Sequence, residues 1–167
     1  MKTIHLLRHA KSSWANPDLD DRDRPLNNRG KRSVVMMIEP IWKAGCRFEH
    51  VYCSPAKRTR ETIRRMSKAL RGEGIHWCLD EKLYAFDRDE LLSWLRDCED
   101  ELDDVMIVGH NPAITGLASL LGDREIKKIP TCGYVQLRAA VDSWSDLREG
   151  CAETVEFLYP KMFDIND

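Results

Sequence analysis

Thr3-Ile4-His5-Leu6-Leu7-Arg8-His9-Ala10 is a short, largely apolar run that stops by presenting an arginine and a histidine side by side. A strand that ends this way gains little in packing from its last residues. It makes chemical sense where an anion has to be held and attacked. Further along the chain, runs of the same kind recur at Val51, Ile75, Val105, Gly133 and Thr154. The predicted strands are Thr3–Leu7, His50–Cys53, Ile75–Leu79, Val105–Val108, Gly133–Leu137 and Thr154–Tyr159. Between them apolar residues fall at helical spacing: Val34, Val35, Ile38, Ile41 and Trp42, then Thr59, Ile63, Met66 and Leu70, then Leu91, Leu95, Cys98 and Leu102. Strands alternating with helices of this length imply right-handed crossovers and a sheet covered on both faces. The expected fold is α/β, a three-layer α/β/α sandwich. Its central sheet is mostly parallel, with an antiparallel edge strand because no periodic helix separates the last two strands.

A chain of 167 residues with 43% hydrophobic content suits one domain spanning residues 1–167. Its formal net charge of −2 advertises neither nucleic acid nor an anionic membrane, and neither is expected as a partner. Locally the charge is uneven. Lys57 to Arg71 is basic and Asp80 to Asp104 is acidic, both expected as solvated helix faces. An RNA or protein contact through Arg60, Arg64, Arg65, Lys68 and Arg71 ranks low without interleaved aromatics. Trp42, at helical spacing, is expected in the core. The six cysteines contain no Cys-x-x-Cys pair, so reduced, buried or incidental thiols are expected. No apolar run is long enough to span a bilayer and Met1-Lys2 leads directly into the first strand, which together suggest a cytoplasmic protein.

In open α/β sheets, ligands bind beyond the carboxyl ends of the strands. Arg8 and His9 follow the first strand, Ser54-Pro55-Ala56-Lys57-Arg58 the second, and Gly109-His110-Asn111-Pro112 the fourth. Ser54 and Asn111 are expected as helix N-caps, with Pro55 and Pro112 in the first helical position. Each would open an anion site through free backbone N–H groups. Arg58 would lie about one turn into its helix and lean back toward the crevice. The charged loop from Asp18 to Leu26 is expected to be solvated at Asp18, Asp20, Asp21 and Arg22. Arg24 differs, because Pro25 holds it extended and able to aim inward. Arginine forks hold two phosphate oxygens at once, and like charges converging on one spot need an anion there.

These features resemble the histidine phosphatase superfamily, also called phosphoglycerate mutase-like, and within it the short SixA-type phosphohistidine phosphatases. The resemblance is carried by LLRHAKSSW at Leu6–Trp14, DRPLNNRGKR at Asp23–Arg32, SPAKRTRET at Ser54–Thr62 and VGHNP at Val108–Pro112. It implies that His9 is the nucleophile that takes the phosphoryl group. Arg8, Arg58 and His110 would complete the phosphate pocket, with Arg24 added as in the SixA type, and no metal or other cofactor would be needed. Ala10 stands where many relatives have glycine, a change tolerated if its φ stays negative.

The attacking His9 nitrogen must be unprotonated, with its other ring nitrogen held by a backbone carbonyl. Glu81, Asp87 and Asp89 are the candidate proton donors, each better read as capping or solvating the helix that begins near Asp89. An alkoxide leaving group needs a general acid, whereas phosphohistidine leaves as neutral imidazole. The expected substrate is therefore a phosphohistidine-bearing protein. The alternatives are a small-molecule phosphomonoester phosphatase on the same scaffold and a phosphoprotein-binding module without turnover.

Overall fold

The computed structural model describes residues 1–164 apart from 71 and 73, so Arg71 lies outside the described residues. Each predicted strand segment forms a strand: β1 (Lys2–Arg8), β2 (Val51–Cys53), β3 (Trp77–Leu79), β4 (Asp104–Gly109), β5 (Tyr134–Ala139) and β6 (Ala152–Leu158). Among the described residues the α-helices are α1 (Asn28–Lys43), α2 (Lys57–Ala69), α3 (Arg88–Arg96) and α4 (Ala113–Leu121). The strands make one sheet in the order β3-β2-β4-β1-β5-β6. Pairing is parallel from β3 through β1 and antiparallel on both sides of β5. The antiparallel edge is thus two pairings deep, with β5 inside and β6 outermost.

Alternation along the strands sends neighbouring side chains to opposite layers. Ile4, Leu6, Val105, Ile107, Val135 and Leu137 join the core beneath α3 and α4. Leu7, Val51, Cys53, Met106, Val108 and Tyr134 join the core beneath α1 and α2. Burial on both faces favours an unbroken apolar run, as in Val105–Val108 of β4, and β1 departs from it only with buried polar side chains that have partners, such as His5 at 2.7 Å from the Tyr134 hydroxyl.

Three local departures have physical causes. β3 begins at Trp77 because the Ile75 N–H donates to Ser67 Oγ at 2.7 Å, which ties that residue to α2 instead of the ladder. α3 ends at Arg96, short of Leu102, whose carbonyl accepts from Lys2 Nζ and Trp144 Nε1, each at 2.9 Å. Trp42 is 38% exposed, a correction to its expected core position. The buried stripe of α1 runs through Val34, Met37, Ile38 and Ile41, leaving Val35 and Trp42 on its margin, where Arg47 lies over the indole at 4.0 Å.

α1 starts at Asn28. Asn27 is its N-cap and accepts from the Gly30 N–H at 2.8 Å. Gly30 also lets the helix approach the segment after β1, since a Cβ there would stand 2.2 Å from the Lys11 carbonyl oxygen. The same carbonyl accepts from the Asn27 N–H at 3.0 Å. All six cysteines are free, and among the described residues no helix is long and apolar enough to cross a membrane.

Candidate active site

The carboxyl ends of β1, β2 and β4 lie level. The Ser54 N–H donates to the Val108 carbonyl at 3.0 Å and the His9 N–H to that of Gly109 at 3.2 Å. Beyond them opens a cleft of about 290 Å³, lined by Arg8, His9, Arg24, Arg58 and His110 together with Asp21 and Trp14. All five residues expected from the sequence therefore meet at one place. A larger hollow of about 880 Å³ lies beyond Tyr84, but it is lined by Asp80, Asp89, Glu90 and Asp97, carries the wrong charge for an anion and contains neither histidine.

His9 is 7% exposed, and its Nδ1 lies 2.7 Å from its neighbour's carbonyl, Ala10 O. A carbonyl only accepts, so Nδ1 carries the proton and Nε2 keeps its lone pair. Burial, seconded by the charges of Arg58, Arg8 and Arg24, pushes the imidazole down to about 3 against the pull of the Ala10 carbonyl. Ala10 is fully buried, has no positive φ, and donates its N–H to Thr62 Oγ1 at 2.9 Å. The Cβ that replaces a glycine hydrogen therefore sits without backbone strain.

The arginines are fixed by different elements. Arg8 Nη1 donates to the Ile129 carbonyl at 3.0 Å. Arg58 donates from Nη1 to the Asp21 carbonyl at 2.6 Å and from Nη2 to Asp21 Oδ2 at 2.9 Å, and Nη2 lies 3.3 Å from His110 Nδ1. Arg24 donates to Ser12 Oγ and stacks on Trp14, its guanidinium carbon 3.4 Å from the ring centroid. The Nε atoms of Arg8, Arg24 and Arg58 are buried with no hydrogen-bond partner. Arg24 Nε has only the long contact of 4.0 Å to Asp21. Buried cationic donors are costly unless an anion meets them. His110 completes the cleft, its Nε2 2.8 Å from Ser54 Oγ and its ring centroid 5.5 Å from that of His9. Burial, then the Arg58 charge, pushes it down to about 3 as well.

The sequence model for the histidine phosphatase superfamily (branch 1) matches residues 4–87, half of the chain. The chain belongs to that superfamily. The uncharacterized protein Rv1276c of Mycobacterium tuberculosis is 31% identical over 166 residues, covering 93% of this chain and its own full length. A structure assigned as phosphohistidine phosphatase SixA from Agrobacterium tumefaciens is 27% identical, covers 95% of this chain and 98% of its own, and superposes with a TM-score of 0.76. The protein histidine phosphatase SixA complexed with tungstate, 17% identical, shares the fold at a TM-score of 0.78 over 96% of this chain and 98% of its own.

The chain differs from what its sequence suggests in the way its strand ends are finished. Ser54 is not an N-cap. Ala56 is, Lys57 begins α2, and Arg58 is its second residue. Ser54 Oγ instead contacts His110 and accepts from the Ala56 N–H at 3.3 Å. α4 likewise starts one residue late, with Pro112 as N-cap. Its free donors turn inward, Ile114 N–H to the His110 carbonyl at 3.0 Å and Thr115 N–H to Asn111 Oδ1 at 3.2 Å. At α4 the first-turn donors are therefore taken up within the chain, where an open helix N-terminus was expected.

The expected proton donors lie elsewhere. Glu81 pairs with Arg22 at 2.7 Å on the surface, Asp87 caps α3 through the Asp89 N–H at 2.8 Å, and exposed Asp89 faces Arg88 at 3.6 Å. Asp21, expected as solvated loop, is the carboxylate in the cleft. Tyr84 donates to its Oδ2 and also packs edge-on against His110 at 5.3 Å. Burial alone would raise the Asp21 carboxyl, but the hydrogen bonds from Tyr84 and Arg58 and the charges of Arg58 and Arg24 hold it below the usual carboxylate range. At the opposite end of the sheet, Glu49, His50 and Asp104 bring ligand-type atoms within 4.8 Å of one another, well apart from this chemistry.

Proposed function

We propose that this chain hydrolyses phosphohistidine on proteins through a covalent phospho-His9 intermediate. The observation that carries the reading is His9 itself, a neutral imidazole with Nδ1 engaged by Ala10 and Nε2 free among three arginines whose Nε donors lack partners. Nε2 attacks phosphorus as the bond to the leaving imidazole breaks. Arg8, Arg24, Arg58 and His110 meet the charge on the peripheral oxygens, the dominant contribution in phosphoryl transfer. Water then attacks phosphorus, the P–N bond to His9 breaks, and inorganic phosphate leaves with the proton shared to phosphate and solvent.

The choice of leaving group follows from Asp21. An ionised carboxylate held low by Tyr84 and Arg58 is a poor proton donor. A phosphohistidine protonated on its far ring nitrogen needs no such donor, whereas an alkoxide does. The likeness to SixA from Agrobacterium tumefaciens supports the same substrate.

Alkaline-quench trapping and a substrate panel test this. The wild type should form an acid-labile, alkali-stable phosphoenzyme and turn over a phosphohistidine protein faster than phosphoserine peptides, sugar phosphates or an aryl phosphate. His9→Ala should lose at least about a thousandfold in kcat/KM on every substrate. A faster rate on sugar phosphates would reject the substrate, and substantial activity in His9→Ala would reject the mechanism.

A further inference from the structure

Trp14 is 77% exposed, more than any other large hydrophobic side chain among the described residues. A single exposed indole needs no explanation by itself, and it is the place of this one that marks it. It lines the phosphate cleft, and with the Arg24 guanidinium over one face its exposure leaves the other face open. Phe86 lines the same cleft on the His110 side, 42% exposed, its ring centroid 5.2 Å from that of His110.

We propose that Trp14, assisted by Phe86, is a specificity-determining residue that selects phosphoryl groups carried on a planar ring. This rests on the phosphatase reading above and names its leaving-group class. With the phosphoryl group among Arg8, Arg24 and Arg58, the leaving group is joined by one bond and must exit past the rim. Trp14 stands at that rim because it is stacked on one of those arginines. An imidazole or phenyl ring offers a π face to the indole, and an aliphatic alkoxide does not. The Arg24 stack fixes the indole beforehand, so little side-chain freedom is lost when a ring arrives. Arg24 thus serves two tasks, one edge toward phosphate and one face on Trp14.

Calorimetric binding of two inert anions of matched size tests the selection independently of turnover. Phenylphosphonate carries a flat ring and cyclohexylphosphonate a puckered one. Stacking of this kind predicts that the wild type prefers phenylphosphonate by about tenfold. Trp14→Ala should bring the ratio near one, chiefly by weakening phenylphosphonate, and Trp14→Phe should retain most of it. Equal weakening of both ligands would mean that Trp14 merely props Arg24, and would overturn the proposal. So would an equal affinity in the wild type. Turnover of a phosphohistidine peptide by the same preparations separates the two ideas. Ring preference without phosphohistidine turnover rejects the substrate and keeps the rim, and turnover without ring preference does the reverse.

Discussion

His9 and His110 have both given up the proton affinity of an ordinary imidazole, and this has a cost that appears with pH. In the folded state each titrates near 3 because it is buried beside arginines, and in the unfolded chain each returns to about 6.5. Between those values the unfolded state binds more protons, so stability is full above pH 6.5 and falls as pH drops toward 3. Each histidine should cost about 2 kcal/mol by pH 5. Thermal melts of the wild type and of His9→Gln at pH 7 and pH 5 check this, with the variant expected to lose less on acidification. kcat/KM should show no inflection at 6.5 from either imidazole. Arg24 was legible because the proline after it restricts its backbone. Asp21 was not, since nothing in Asp20-Asp21-Arg22-Asp23 marks one carboxylate as inward. Its place is set by Arg58 and Tyr84, 37 and 63 residues away.

Gly30 shows how an element holds the site without touching it. The first turn of α1 sits against Lys11, and an added Cβ would meet the Lys11 carbonyl at 2.2 Å. Gly30→Ala must therefore push the segment after His9 away from the helix. Overpacking of this kind costs about 1–3 kcal/mol, and activity should fall further than stability because Ser12 and Trp14 lie on the displaced segment. Melting temperature and phosphoenzyme yield, measured on one preparation, would check both. At this scale β4 was the most readable strand, because burial on two faces leaves the uninterrupted apolar run Val105-Met106-Ile107-Val108. Helix starts were less so at Ser54 and Asn111, where a serine or asparagine before a proline looks like a cap. Ser54 is drawn off to His110, whereas Asn111 still accepts from the first turn of α4, through Thr115, but from one position before the N-cap. Tyr84 and Phe86 come from an irregular stretch between a 3₁₀ turn (Glu81–Leu83) and α3, where no periodicity exists to be read.

The molecule has two cores divided by one sheet, and damage to one need not reach the cleft. Trp144 is fully buried beneath α3 and α4, its Nε1 donating to the Leu102 carbonyl at 2.9 Å. Trp144→Ala should cost about 3–5 kcal/mol and lower Tm by about 10 °C. Below that temperature the folded protein should retain its phosphatase activity, a point for paired calorimetry and kinetics. Fold class was legible from alternation alone, whereas the strand order was not, because period and length say nothing about which strands are neighbours. That order has a consequence for how the protein is made. β1, which delivers His9, pairs with β4 and β5, and its parallel partner begins only at Asp104. At ribosomal speeds the strand leading to His9 waits on the order of ten seconds for that neighbour. Assembly of the cleft is therefore a late event in biogenesis, and until β4 arrives the Ile4-His5-Leu6-Leu7 segment has no parallel neighbour.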